Sequence, residues 1–280
     1  MRRITAKMVE STRNAPGILC ALQDDSAAPL TAAQATLTLP PLKLWPIIAA
    51  FGLLVFVLMV DGAVIVVTLH FIGEPMFKAM PWTVLYFGHT GMLLASLVCI
   101  ALLGHGRFRE FGFRAPADHR YVHTALLFGV LFGIVMTVAD YTHNIIAHRP
   151  PENFVLSSTN LAGSLTFEGL FGGTVAEILF RGLLMTFLMQ RMSGRLRLGR
   201  FDVHVAGVIV AVLFSLAHLG SFWTESFRVA ASQQAYAFVW GVIYAYWYEK
   251  SGSLLPSIIG HNLGNLVEYL FAFLMVWRWS

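Results

Sequence analysis

The sequence predicts an all-α, polytopic membrane bundle of about seven transmembrane helices, and three observations carry that prediction. Of its 280 residues, 57% are hydrophobic and 12% are charged, about half the ~25% charge of a soluble domain. Mean hydropathy is +0.68, which a soluble core does not require. The apolar residues also come in runs near the ~20 residues that a helix needs to cross the hydrocarbon.

Residues 1–42 are rich in Ser, Ala, Thr and Pro, with no apolar periodicity, and read as a polar, disordered tail. No apolar stretch follows the early basic residues, so this is not a secretory signal. The transmembrane domain then occupies 43–280. Its spans are expected at about Leu44–Ile72, Trp82–Leu103, Tyr121–Ala147, Leu161–Met189, Val203–Leu219, Phe227–Tyr248 and Leu254–Trp277. Regular strands are not expected, because an open sheet edge is left unsatisfied in lipid. Cys20 and Cys99 fall in the tail and in an apolar span, which argues against a disulfide and against a thiolate metal site.

The net charge of +4 is a topology signal here, and no basic-aromatic pattern points to nucleic acid. The tail and its junction hold Arg2, Arg3, Lys7, Arg13 and Lys43. Arg107, Arg109, Arg114 and Arg120 form a second cluster, and Arg191, Arg195, Arg197 and Arg200 a third. The intervening loops carry Lys78, Arg149 and Arg228 singly. The alternation predicts a cytoplasmic N-terminus and a C-terminus outside.

Ionisable groups within spans are costly, so each calls for an explanation. Glu177 and Arg181 are i,i+4 on one helix face and read most simply as a structural ion pair. His218 follows Phe214 by four residues near the end of the fifth span. His261 and Asn265 are four apart in the seventh. Either pair alone fits an interior polar contact that holds helices together. Taken together, a carboxylate, an Arg, two imidazoles and a carboxamide at similar depth are the material of a general-base site with an oxyanion pocket. Asp61, Asp140, His143 and Glu268 are read as cavity or interface residues, with Asp140 and His143 spaced i,i+3 to pair. The aromatic run Trp240–Tyr248 is read as an interfacial belt.

The three motifs, Ala176-Glu177-x-x-x-Arg181, Phe214-x-x-x-His218 and His261-x-x-x-Asn265, resemble the CPBP (CAAX protease and bacteriocin-processing, or Abi) family. These are intramembrane proteases related to the type II CAAX prenyl endopeptidase. The resemblance covers about 160–270. It implies a peptidase of glutamic type acting on a membrane-associated peptide or protein, in a bacterial or archaeal inner or plasma membrane. In the family pattern Glu-Glu-x-x-x-Arg, the first Glu and the second motif's His activate a water, while the third motif's His and Asn stabilise the oxyanion. The resemblance therefore gives His218 a water-holding role and turns His261 and Asn265 towards the scissile carbonyl. Glu177 and Arg181 organise the site.

The departure is at the first Glu, where this chain has Ala176. An alanine takes no proton, so the resemblance implies a catalytically impaired chain. Three explanations fit: an engineered inactivating replacement, a native pseudoprotease that binds peptides without cutting, or Glu177 serving as base after a helix rotation of about 100° per residue. No cofactor is favoured. Zinc on Glu177, His218 and His261 is the alternative, since the residue types suit it, but the H-E-x-x-H spacing is absent. A haem or quinone protein using the two histidines is a third reading, which a visible spectrum tests.

Overall fold

The computed structural model describes residues 36–38, 43–152, 154–199 and 201–280. Most of the expected polar tail, Cys20 included, and Arg200 of the third basic cluster lie outside the described residues. Cys99 is a free thiol.

Among the described residues there are seven long helices: α1 (Leu44–Ala79), α2 (Trp82–Leu103), α3 (Arg120–Ala147), α4 (Ser158–Met189), α5 (Val205–Leu216), α6 (Phe227–Ser251) and α7 (Leu255–Trp279). The chain is an integral membrane protein of the all-α class. Six of the helices are long and apolar enough to cross a membrane, α5 together with the short helical turn Ser221–Thr224 that follows it. The other is α6, which carries Arg228, Ser232, Gln233 and Gln234 near its start and Glu249 and Lys250 near its end. It packs on α3, α5 and α7 and leaves Phe238 and Val239 exposed. Helix α1 runs past its expected end because it continues beyond a bend at Gly73, where φ is +72°.

The connections gather at two ends. At one, the Leu254 amide donates to the Gly112 carbonyl (3.0 Å), the Ala117 amide donates to the Ser251 carbonyl (2.9 Å), and Arg195 pairs with Glu249 (2.5 Å). The described members of the second and third basic clusters therefore stand at the same end. At the other, the Trp82 indole on α2 donates to Asn160 on α4 (3.1 Å).

The expectation of no regular strands is corrected. Strands β1 (Thr36–Thr38), β2 (Arg195–Leu198) and β3 (Phe201–His204) form an antiparallel sheet in that order. Strands β2 and β3 lie in the α4–α5 connection, outside the spans, where water satisfies a sheet edge. The interfacial-belt reading of Trp240–Tyr248 is also corrected. Tyr244, Trp247 and Tyr248 are buried, and Trp240 stacks on Phe132 of α3 with ring centroids 3.8 Å apart. These rings fill the interior between α3, α6 and α7.

The closest helix pairing joins α3 and α7. A Cβ added at Gly133 would sit 2.5 Å from both the Gly264 carbonyl oxygen and the Val267 Cβ, and one added at Gly129 would sit 3.0 Å from the Gly260 carbonyl oxygen. The two helices thus meet backbone to backbone across small residues four apart, the packing that membrane helices use in place of a hydrophobic drive. Gly133→Ala is expected to cost about 1–3 kcal/mol, because neither obstructing atom is a flexible chain end. A fall in the detergent melting temperature measures it.

The start of α5 supplies a pH-sensitive feature. The His204 Nδ1 accepts the Ala206 amide (3.0 Å) as N-cap, and burial holds this imidazole below its ordinary pKa. The folded state therefore binds fewer protons than the unfolded chain. The cap's stability is fully present above about 6.5, the unfolded value, and is lost as pH falls from there through the lowered folded value. A stability loss of ~0.5–2 kcal/mol is expected on acidification, and His204→Asn, which caps without titrating, removes it. Melting curves between pH 7.5 and 5, at about those limits, check this.

Candidate active site

Helix α4 is not uniform. Its hydrogen bonding widens to the i→i+5 pattern over Phe167–Gly172 and again over Ile178–Met185, with a regular segment, Gly173–Glu177, between them. Such wide turns cluster at functional sites. The regular segment presents Glu177, and the second wide turn presents Arg181.

Both side chains are fully buried. Arg181 Nη1 donates to Glu177 Oε1 (2.8 Å), and Nη2 donates to the Gly241 carbonyl of α6 (2.9 Å). The guanidinium also lies over the Phe214 and Tyr244 rings, at 4.8 and 5.3 Å from their centroids. Glu177 Oε1 has a second partner, His261 Nδ1, at 2.8 Å, while Oε2 is buried with no partner among the described residues. One oxygen thus joins the acidic motif on α4 to the His-x-x-x-Asn motif on α7.

His261 is 13% exposed. It stacks on Tyr244 (5.4 Å, 16°) and meets Phe214 edge to face (5.7 Å). Gly173 makes this approach possible, since a Cβ there would be 2.9 Å from the His261 ring. With Nδ1 held by Glu177, Nε2 is the ring's remaining polar edge.

His218 follows α5 and makes no hydrogen bond to Glu177. Its Nδ1 lies 2.8 Å from the Phe214 carbonyl, which leaves Nε2 unused. Its ring packs edge to face on Phe214, the ring that His261 also touches, and the two imidazoles are close enough to interact electrostatically. Ala176 is half-buried and packs against the hydrophobic core that includes Phe180 and Phe214.

Asn265 lies one turn beyond His261, and its Nδ2 donates to Glu168 Oε2 (2.9 Å). Glu168 escaped the reading of the sequence. Its signal was its place in an apolar span, about two helical turns before position 176 and so on the same face. His89 on α2 escaped as well. It lies 3.7 Å from Asp61, meets Phe167 edge to face and interacts electrostatically with His261. Asp140 accepts from Tyr236 (2.9 Å) and lies within hydrogen-bonding reach of Glu268. His143, its expected partner, is exposed.

Among the described residues no group of three or more His, Cys, Asp or Glu side chains is spaced to hold a metal ion.

Removing one partner of a buried ion pair leaves an uncompensated charge. Arg181→Met is therefore expected to destabilise the fold by about 3–5 kcal/mol. The double change Glu177→Gln/Arg181→Met is expected to cost less than the two single changes summed. Melting temperatures of the three variants in one detergent decide this.

Residues 158–267, from the start of α4 through half of α7, match the family model described as type II CAAX prenyl endopeptidase Rce1-like. No curated protein and no solved structure matches the chain. The matched stretch holds all three motifs and every contact between Glu177, Arg181 and His261. Within residues 158–267 the chain is thus similar to the Rce1-like CAAX prenyl endopeptidases.

Proposed function

We propose that the chain is the scaffold of an intramembrane endopeptidase that hydrolyses a peptide bond of a membrane-associated protein or peptide. The observation that carries the reading is the link from Arg181 through Glu177 to His261, with His218 beside it, inside the family-matched segment. Two imidazoles with their Nδ1 atoms engaged and their Nε2 atoms unused suit proton handling. His218 Nε2 takes a proton from the attacking water. His261 Nε2, when protonated, and the second N–H of Asn265 Nδ2 polarise the carbonyl oxygen. Glu177 and Arg181 hold the His261 ring in place and do not touch the substrate.

What this scaffold lacks is the carboxylate at position 176 that would share the water with His218. Ala176 supports the second reading, a pseudoprotease that binds peptides without cutting them. A zinc-dependent reaction on Glu177, His218 and His261 is a weaker alternative, since these side chains are not grouped to hold an ion among the described residues. We place the end that gathers the basic clusters in the cytoplasm, which puts the N-terminus inside and the C-terminus outside.

The test is Ala176→Glu in reconstituted vesicles, with a panel of membrane-anchored reporter peptides. A general base is worth roughly 10²–10⁴-fold, so cleavage by the variant is expected to exceed that of the chain as written by at least about 100-fold. A folded variant that cuts nothing overturns the protease reading in favour of peptide binding alone.

A further inference from the structure

A cavity of about 210 Å³ opens at the end of the bundle away from the basic clusters, between α2, α4, α7 and the α3–α4 connection. Trp82, Phe154, Phe167, Tyr269 and Phe273 line it, together with Glu168. Its walls are held in place. Phe154 meets both Tyr269 and Phe273 edge to face at 5.3 Å, and Trp82 is fixed by its bond to Asn160. Glu168 is 8% exposed. Its hydrogen-bonding partners are neutral, Asn265 and the hydroxyl of Tyr269. The cavity's lining cation, Lys78, is exposed and tied to Glu74 (2.6 Å).

A carboxylate without a counter-charge, surrounded by aromatic rings, is a complementary environment for an organic cation. The charge would pair with an ammonium or guanidinium, and ring faces attract the same group. The cavity also abuts the proposed cutting site, because Asn265 is one helical turn from His261 and bonds Glu168 directly. An extended peptide advances roughly 3.3 Å per residue, so a residue near the scissile bond reaches Glu168 with its side chain.

We propose that this cavity is a subsite for a lysine or arginine side chain of the peptide bound at the candidate active site, with Glu168 as its counter-charge. The assignment deepens the proposed function and rests on it only for the peptide nature of the ligand. A lipid headgroup amine is the competing occupant. It is disfavoured because Glu168 is bonded to Asn265, a residue of the proposed cutting site.

Binding tests the subsite without any need for cleavage. The full chain in nanodiscs is titrated with two otherwise identical membrane-anchored peptides, one carrying lysine and one norleucine, and read by indole fluorescence, since Trp82 lines the cavity. The lysine peptide is expected to bind at least about tenfold more tightly, from one desolvated charge pair and its ring contacts. Glu168→Gln, which keeps the shape, is expected to abolish the preference. Phe154→Leu, which trims the wall, is expected to reduce it. Equal binding of the two peptides overturns the proposal, as does a preference that survives in folded Glu168→Gln. Loss of the lysine preference when phosphatidylethanolamine replaces phosphatidylglycerol in the nanodisc also overturns it, in favour of a lipid amine. The same peptides given to Ala176→Glu separate the two readings. If the lysine preference depends on Glu168 and neither peptide is cut, the subsite stands and the protease reading falls. If both peptides are cut at equal rates, the protease reading stands and the subsite falls.

Discussion

The oxygen that Glu177 offers to both Arg181 and His261 is the contact on which the rest of the core depends. A guanidinium at full burial is tolerable only when its charge is met and its N–H groups are directed at acceptors. Arg181 meets the first condition through Glu177 and part of the second through that carboxylate and the Gly241 carbonyl, while Nε has no partner among the described residues and two aromatic faces lie against the group. Because those acceptors come from α4 and α6, and His261 from α7, one charge pair sets the relative positions of three helices. The oxygen's second commitment, to His261, turns a structural pair into a device for orienting an imidazole.

Much of this was legible in the sequence. Apolar runs located the seven long helices, six of which are long and apolar enough to cross a membrane, because the hydrocarbon sets a minimum length for a span. The i,i+4 spacing of Glu177 and Arg181 gave their pairing directly, since helix geometry decides it locally. The meeting of Glu177 with His261 is a contact between distant segments, which similar depth in the spans and the resemblance of the three motifs brought into one neighbourhood without giving the bond itself. The sequence did not disclose which carboxylate Asn265 would face, because that depends on the offset between α4 and α7, and two wide turns in α4 alter that offset. The aromatic run in α6 was misplaced for a related reason. Composition registers rings near a helix end but not the Phe132 ring of α3 waiting to stack on them.

On the proposed function, position 176 separates the scaffold from the chemistry. Glu177, Arg181 and His261 are bonded to one another without it, His218 joins them through ring contacts on Phe214, and the alanine is half-buried against the core. The Glu177 arrangement also bears on a helix rotation that would turn this residue into the base. Such a rotation would carry its carboxylate away from Arg181 and leave a guanidinium unpaired at full burial, a change costing several kcal/mol. On the proposed function, this geometry favours a Glu177 that stays fixed and organises the site.

The backbone-to-backbone seam between α3 and α7 bears on how the molecule responds to its lipid. The Gly260 and Gly264 carbonyls hold α7 against α3, while His261 and Asn265, about 100° further round the helix, project towards α4. A thicker or thinner bilayer is accommodated by tilting helices, at fractions of a kcal/mol per ångström of mismatch. With its small-residue side clamped, α7 leans together with α3 as a rigid plank and does not roll about its own axis. Membrane thickness then alters the height of the polar residues relative to the surface while leaving their mutual aim intact.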